Sequence, residues 1–285
     1  MRATDLIRRS AAYLEAHGVE SPRETAEALL MHFLDTDRAG LYTRTHGLDT
    51  KTARLFGRAL CGRCRGTPLQ YLTGEQRFMD LALQIAPGVF VPRPETERLV
   101  EVVLDVIGSV HAPLVVDVGT GTGAVGLAIK RNRPDARVLA TDVSADAVEV
   151  ARRNAVRLGL DVEVLCGDVL QPLSKDLAGT VDVLVSNPPY VTEEEYESLP
   201  EEVKAEPYGA LVGGTDVHRR LAEAALEWLR PGGWLIVEIG AGQGAMVRDL
   251  FRAHLAGVEV LPDLAGRDRF VRGRRMSQGR ARSGG

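Results

Sequence analysis

Short apolar runs alternate with helical patterns over the C-terminal part of the chain. Residues 114–118 and 181–186 are Val-rich runs with the length of buried β-strands, and segments with helical spacing separate such runs. Strands that alternate with helices predict a doubly wound α/β fold with a parallel sheet, because each helix returns the chain to the same edge. The predicted strands are residues 114–118, 137–142, 162–166, 181–186 and 233–239, and residues 258–261 and 269–272 are expected to finish the sheet.

Apolar residues near the N-terminus recur at helical spacing. They are Leu6, Ala11, Leu14, Ala26, Leu29, Leu30, Phe33 and Leu34. A stripe of this period predicts amphipathic helices that bury one face. The segment from Ser21 to Glu24 is typical of a capping box, with Pro22 at the first helical position. We therefore expect a small helical domain over residues 1–65.

Two other segments differ in composition from both domains. Residues 66–91 combine β-rich runs with turns and predict a β-hairpin linker, with Phe78 to Ile85 as one arm. The parallel-sheet domain then occupies residues 92–272. Residues 273–285 are rich in Arg, Gly and Ser without apolar periodicity, so we expect a disordered tail. A basic tail could contact RNA, but a solvated terminus is the favoured interpretation.

A glycine-rich turn follows the first predicted strand of the sheet. Gly119, Gly121 and Gly123 permit positive φ and let the backbone pass close to a ligand. The next strand ends on Asp142 about 20 residues later, the spacing at which a carboxylate reaches a ribose hydroxyl pair. The alternative for Asp142 is a helix N-cap, a role that Ser144 could fill instead. Because no Lys-Ser or Lys-Thr follows the glycines, a P-loop is excluded.

Asn187-Pro188-Pro189-Tyr190 directly follows the apolar run 181–186, where a buried parallel strand would end and open into a cleft. The first proline keeps Asn187 out of the αR region. The Asn187 side-chain oxygen and a proline carbonyl offer two acceptors that can hold one planar NH2 group, and the Tyr190 ring could lie against its face. An ordinary proline-rich loop is the alternative on these four residues alone.

The glycine turn and the Asn-Pro-Pro-Tyr motif together resemble S-adenosylmethionine-dependent methyltransferases. These enzymes place the methyl donor at the C-terminal ends of the first strands and the acceptor at the fourth. More specific segments, residues 66–78, 90–97, 238–240 and 263–269, resemble the release factor glutamine methyltransferase family, or protein-(glutamine-N5) methyltransferases. The resemblance runs from about residue 6 to residue 271 in the family's order. The Asn-Pro-Pro-Tyr motif is less specific, because amino-DNA methyltransferases share it.

This resemblance implies a Rossmann-like, doubly wound methyltransferase sheet that ends with an antiparallel strand, preceded by a small N-terminal helical domain that docks a protein substrate. It implies S-adenosyl-L-methionine as co-substrate, with no metal. The acceptor would be the glutamine side-chain amide in the Gly-Gly-Gln motif of class I peptide-chain release factors. The planar NH2 of an N6-adenine or another exocyclic amine of nucleic acid is the alternative acceptor. A binding module that keeps only the fold is a third possibility, against which the intact motifs argue.

The donor-binding residues implied by the resemblance are Asp117, Gly119, Thr120, Gly121, Thr122, Gly123, Asp142, Asp168, Val169 and Asn187. Asp142 would hold the ribose hydroxyls. Asp117 would order the turn or meet the donor's ammonium through water, with a loop cap as the alternative. Asp168 would lie beside the adenine and Val169 against its face, although some family members have an aromatic residue at that position.

The implied catalytic residues are Asn187, Pro188 and Tyr190, and the implied acceptor-binding residues are Asn187, Pro188, Pro189, Tyr190, Arg93 and Glu95. Pro94 and Glu97 could line the same side, and an Arg-Glu surface pair is the alternative for this segment. The chain runs directly from Asp216 into Val217, so this loop is shorter than is usual in the family. The shortening leaves the wall on the acceptor side undefined.

Composition and charge disfavour several classes of protein. The chain has 285 residues with 45% hydrophobic residues, enough for a substantial core. Its net charge of −4 lacks the basic excess that phosphate binding requires, which disfavours nucleic acid as the substrate. No apolar run is long enough to span a bilayer, and charges near the N-terminus stand where a signal peptide has its apolar core. We therefore predict a cytoplasmic protein.

Cysteine and histidine residues indicate no metal site. Cys61 and Cys64 have the spacing of a metal or redox pair, but no second pair accompanies them. We interpret them as neighbours on a helix surface. The six histidines are scattered without ligand spacing.

Overall fold

The computed structural model describes residues 3–276, which form two compact units. The first unit consists of the residues up to Glu75 together with Leu199–Ala205, and the second of Gln76–Ser198 and the residues from Glu206 onward. The expected linker 66–91 is therefore divided between the units. Its first part packs with the helical core through Leu69 and Leu72, whereas its second part is bonded to the sheet domain.

The helices are α1 (Ala3–Ala16), α2 (Pro22–Leu34), α3 (Arg38–Thr43), α4 (Thr50–Cys64), α5 (Leu69–Thr73), α6 (Glu97–Ile107), α7 (Ala124–Asn132), α8 (Ala145–Leu158), α9 (Glu193–Glu197), α10 (Glu201–Lys204), α11 (Tyr208–Leu211), α12 (Asp216–Trp228) and α13 (Gly244–Arg252). Of these, α1 to α5 and α10 belong to the first unit. Its core is built by the predicted stripe: Leu14, Ala26, Leu29 and Leu30 are fully buried.

The predicted capping box at the start of α2 is wrong. Pro22 does occupy the first helical turn, but Ser21 has φ 49° and its side chain makes no capping hydrogen bond. An N-cap side chain reaches the helix N–H groups from an extended backbone, and the left-handed conformation of Ser21 removes that geometry. By contrast, Asp49 caps α4 through the N–H groups of Lys51 and Thr52. Cys61 and Cys64 lie on α4, and both are free thiols.

The strands are β1 (Glu75–Phe78), β2 (Leu81–Gln84), β3 (Leu114–Val118), β4 (Arg137–Asp142), β5 (Val162–Cys166), β6 (Val181–Ser186), β7 (Leu229–Glu238), β8 (Ala256–Pro262) and β9 (Asp268–Arg274). The large sheet has the order β5-β4-β3-β6-β7-β9-β8. Strands β3 to β7 pair in parallel, and β9 is antiparallel to both β7 and β8. The doubly wound fold and the antiparallel strand are thereby confirmed.

The order of the strands reverses at β3, since the chain moves outward to β4 and β5 and then returns to β6 on the other side. A crevice opens at such a switch point, outside the carboxyl ends of the strands. Every residue of β3 and β6 is buried, as expected for central strands covered on both faces. Val118 and Ser186 are paired at the ends of these two strands, so their continuations meet at one edge.

Several boundaries differ from the sequence predictions. The strands predicted at 233–239, 258–261 and 269–272 are longer in the structure, as β7, β8 and β9, and β7 ends one residue earlier than predicted. The segment from Phe78 to Ile85 is not one hairpin arm, because Met79 turns the chain with φ 51° between β1 and β2. The expected tail begins too early, because Gly273 and Arg274 are the last residues of β9. Gly273 is closely packed: an added Cβ would lie 3.0 Å from the Leu255 side chain, which would have to shift to accommodate it. Residues 277–285, where the rest of the expected tail falls, lie outside the described residues.

Within residues 3–276, no helix combines the length and the apolar character needed to cross a membrane.

Candidate active site

A cavity of about 420 Å³ lies within the second unit, at the carboxyl ends of β3, β4 and β6. Eleven of the residues singled out from the sequence line it: Asp117, Gly119, Thr120, Gly121, Thr122, Asp142, Asp168, Val169, Asn187, Pro188 and Pro189. The Ser186 hydroxyl donates to the Val118 carbonyl over 2.7 Å and ties the ends of β6 and β3 together. The switch point thus brings together segments that are far apart in the chain.

The glycine turn between β3 and α7 has the backbone conformation that its sequence predicts. Gly119, Gly121 and Gly123 have φ of 71°, 56° and 88°, values that disfavour any side chain. The N–H groups of Gly119 and Thr120 donate to the Thr141 carbonyl over 2.8 and 3.0 Å. These two hydrogen bonds fix the turn to the end of β4, and residues 119–122 of the turn line the cavity.

Asp117, near the end of β3, stabilises the glycine turn through hydrogen bonds to the turn and to the first turn of α7. Its Oδ2 accepts hydrogen bonds from the Thr120 hydroxyl at 2.6 Å and from the Gly126 N–H at 2.9 Å. The side chain is only 1% exposed, and this burial raises the pKa of the Asp117 carboxyl to about 6. An added Cβ at Gly126 would lie 3.2 Å from Oδ2, so glycine in the first turn of α7 gives the carboxylate room for this close approach.

Asp142 connects the end of β4 to the same turn. Its Oδ2 accepts from the Gly121 N–H at 2.8 Å and its Oδ1 from the Ser144 N–H at 2.9 Å. Burial raises the pKa of the Asp142 carboxyl. The N-cap of α8 is Ser144, whose hydroxyl accepts from Ala147. Asp142 is thus not the helix cap, and it is one of the residues that line the cavity.

Asp168 and Val169 follow β5 and line the cavity in an unusual backbone conformation. Val169 has φ 52°, which costs a β-branched residue on the order of 1–3 kcal/mol. The Thr141 hydroxyl holds this conformation by donating to the Val169 carbonyl over 2.7 Å. Asp168 accepts from Arg220 of α12 over 2.5 Å, and Arg220 also lines the cavity. Helix α12, which follows the shortened loop before Val217, therefore supplies part of the cavity wall.

Asn187 lines the cavity and belongs to a hydrogen-bonded group that continues behind it. Its Nδ2 donates to the Thr96 hydroxyl over 3.1 Å, and Thr96 donates to Glu238 Oε2 over 2.7 Å. The Tyr190 hydroxyl donates to Glu238 Oε1 over 3.3 Å, while the Tyr190 carbonyl accepts from Gln243 over 2.7 Å. Asn187 Oδ1 remains as the acceptor atom of the amide.

Arg93 and Glu95 are not among the residues that line the cavity, and neither are Tyr190 and Gly123. Arg93 is hydrogen-bonded to Glu206 and lies over the Phe90 ring at 4.9 Å from its centroid. The acceptor-binding roles of Arg93 and Glu95 therefore stay predictions. Their segment does contribute Thr96 and Pro92 to the cavity.

Sequence reasoning missed the partners of these residues. Glu206 is 4% exposed and accepts from Arg93 and from the Val91 N–H, but its position shows no local motif. Glu238 lies in a segment that carries the family resemblance, and its position as an acid at the end of a buried strand is a sequence signal for a functional role. Among residues 3–276, no three His, Cys, Asp or Glu side chains are grouped as a metal site requires.

The reversed sheet order, the glycine turn and the cavity at the strand ends define a doubly wound α/β methyltransferase fold. Solved structures share it. The T. thermophilus 16S rRNA methyltransferase RsmC, in complex with AdoMet and guanosine, matches with TM-score 0.53 and 21% identity over 70% of this chain and 49% of that one. The human METTL16 catalytic domain, in complex with an RNA hairpin, matches with TM-score 0.56 and 17% identity over 79% of this chain and 80% of that one.

Sequence comparisons identify the family of methyltransferases to which the chain belongs. Residues 5–74 match the PrmC N-terminal domain and residues 80–205 the methyltransferase small domain. The release factor glutamine methyltransferase of Moorella thermoacetica is 44% identical over 90% of this chain and 92% of its own length. Its counterpart in Mycolicibacterium smegmatis is 40% identical over 97% of this chain and 99% of its own length. The chain belongs to the release factor glutamine methyltransferase family.

Proposed function

We propose that the protein transfers a methyl group from S-adenosyl-L-methionine to the side-chain amide nitrogen of the glutamine in the Gly-Gly-Gln motif of class I release factors, in the cytoplasm. The observation that carries this proposal is the Asn187 amide at the cavity. Because its Nδ2 is engaged by Thr96, its Oδ1 is the atom available to accept from an amide NH2. Relatives named for this activity match nearly the whole chain.

The residues that line the cavity include both polar and apolar groups, as the methyl donor requires. Thr122 lines the cavity, and its buried hydroxyl has no hydrogen-bond partner, so the hydrogen-bonding capacity of this oxygen is unused. Asp142 Oδ atoms have capacity beyond their two backbone bonds and suit a hydroxyl pair. Phe90, Val143 and Val169 offer apolar surface for a flat ring. We assign donor binding to this set together with Asp117 and the glycine turn, and adenine contact to Asp168 and Val169.

The chemistry asks the residues around the acceptor mainly to position it. The bound donor supplies a methyl group already activated by its sulfonium, but an amide nitrogen is a poor nucleophile. Asn187 Oδ1 and the Pro188 carbonyl can accept both N–H groups and align the nitrogen. These hydrogen bonds strengthen as positive charge builds on nitrogen in the transition state. Because the proton becomes acidic after transfer, no dedicated base is assigned.

The helical unit, including the region 1–65, is proposed to dock the release factor. Remote contacts with a folded substrate can position the reacting amide better than a short peptide can. The net charge of −4 offers no support for nucleic acid as the alternative substrate.

The test is transfer of labelled methyl to purified class I release factor, with duplex DNA and ribosomal RNA as competing acceptors. We expect label only on the release factor, and none on a variant whose Gly-Gly-Gln glutamine is replaced by alanine. Label on the alanine variant would show another acceptor residue. Preferred labelling of either nucleic acid would overturn the proposal in favour of an exocyclic amine.

A further inference from the structure

Glu238 is a buried carboxylate that does not line the cavity. It ends β7, is 1% exposed, and stands beside the end of β6, since Val237 pairs with Ser186. Asn187 follows Ser186 directly, so the carboxylate lies behind the acceptor side of the site. Burying a carboxylate costs free energy that its hydrogen bonds do little more than offset, so stability alone does not explain why a carboxylate occupies this position.

The hydrogen bonds of Glu238 have a defined direction. A carboxylate only accepts, so Thr96 must give its single proton to Glu238 Oε2, at 2.7 Å. The Thr96 oxygen can then only accept, and at 3.1 Å it faces Asn187 Nδ2 rather than Oδ1. The opposite orientation of the Asn187 amide would set an oxygen against an oxygen with no proton between them.

We propose that Glu238 is a positioning residue that acts through Thr96 and orients the Asn187 amide so that its Oδ1 faces the acceptor nitrogen. This inference rests on the proposed function and adds a specific requirement to it. A hydrogen-bond donor in place of the carboxylate could bond the Thr96 oxygen. The Thr96 proton would then be free for Asn187 Oδ1, which would turn the amide NH2 toward the acceptor.

Protonation of Glu238 is a second way to reverse the direction of the hydrogen bonds between Glu238, Thr96 and Asn187. Burial raises the pKa of Glu238 to about 7, and a protonated carboxyl can donate to Thr96. The charged and titratable groups that face it are Arg269 from β9, Glu95 from the turn before α6, and Tyr190. His218 of α12 contacts only the Glu238 carbonyl, at 2.9 Å. Turnover is therefore expected to fall as pH decreases through about 7.

The test compares Glu238→Gln, Thr96→Val and the double variant at pH 8, with full-length enzyme, labelled donor and whole release factor. Each single change is expected to lower kcat by roughly tenfold to a hundredfold, with the donor Kd unchanged. The double variant should lose no more than the larger single loss, because both changes break one chain of bonds. Thr96→Ser, which keeps the hydroxyl, should recover at least about tenfold of the rate lost in Thr96→Val. The fall in kcat below pH 7 should disappear in Glu238→Gln.

Asp182→Asn is the matched control, because Asp182 is a buried carboxylate at the opposite end of β6 and is bonded to Leu114 and Arg230. Its loss should lower stability but not the kcat of the folded enzyme. Independent losses in the double variant, or a Tyr190→Phe variant that reproduces the whole effect of Glu238→Gln, would overturn the role of Thr96. Normal kcat in Thr96→Val would do the same even if Glu238→Gln does not fold. A wild-type enzyme inactive on release factor would instead refute the proposed function.

Discussion

Replacing Asp117 by asparagine is expected to stabilise the fold at neutral pH while weakening donor binding. Asparagine can keep the bonds from Thr120 and Gly126, because its Oδ1 can accept both as Asp117 Oδ2 does. What the change removes is a buried negative charge. The side chain is 1% exposed, so solvent does little to screen this effect.

The magnitude follows from the pKa of Asp117. Burial raises it from 3.8 to about 6, and each unit corresponds to about 1.36 kcal/mol. Between these pH values the folded state binds more protons than the unfolded state, so the free energy of unfolding falls as pH rises. The contribution is fully present below pH 4 and lost above about pH 6. Asp117→Asn lacks this loss, and should gain about 3 kcal/mol relative to wild type between pH 4 and pH 7.

Urea unfolding of both proteins from pH 4 to pH 8 measures this difference. Glu238 has a raised pKa as well and acts in the same direction, but both proteins carry it, so it cancels in the comparison. Asp135→Asn is a control without this pH dependence, because the Arg133 guanidinium and the Ala112 N–H hold the pKa of Asp135 below its usual range, so that Asp135 stays ionised throughout the titration. That variant should be less stable than wild type by nearly the same amount at every pH from 4 to 8. A stability difference for Asp117→Asn that does not change with pH would refute the reasoning.

Donor binding completes this prediction. An ammonium near Asp117 would favour its charged form, so binding at pH 6 should release about half a proton from the wild-type carboxyl. Calorimetry in two buffers with different ionisation enthalpies measures this release. The Asp117→Asn variant should bind the donor more weakly and release no such proton. Equal proton release by both proteins would show that the donor does not interact with Asp117.

Three further predictions concern donor, acceptor and docking. Asn187→Ala should lower kcat on the order of a hundredfold, about 3 kcal/mol, with little change in donor Kd, and near-normal turnover in a methyl-transfer assay would contradict its role. Asp142→Ala should weaken donor binding by roughly 1.5–3 kcal/mol for each hydrogen bond to a ribose hydroxyl that it removes, and calorimetry giving an unchanged Kd would limit Asp142 to its backbone hydrogen bonds. A protein without residues 1–75 should bind the donor normally, because all the cavity-lining residues belong to the second unit. It should methylate whole release factor orders of magnitude more slowly, and rates equal to those of the full chain would contradict docking.

Local patterns in the sequence determined most of the secondary structure. Strands β3, β4, β5 and β6 have the predicted bounds, because short apolar runs between turn signals allow few other structures. The glycine turn was also predictable, since its positive φ values are intrinsic to glycine. By contrast, Ser21 has cap chemistry in its sequence, yet its backbone conformation excludes the cap.

Only the tertiary structure decided which side chains meet. Glu238 and Thr96 are 142 positions apart, Arg93 and Glu206 are 113 apart, and Arg220 reaches Asp168 across 52. No periodicity spans such separations. These pairs form because the strand order brings the carboxyl ends of β5, β6 and β7 to one edge of the sheet, where the flanking helices and turns contribute the partners. The motif residues could be named from the sequence, but the direction of the hydrogen bonds that orient Asn187 depends on a carboxylate placed by a different strand.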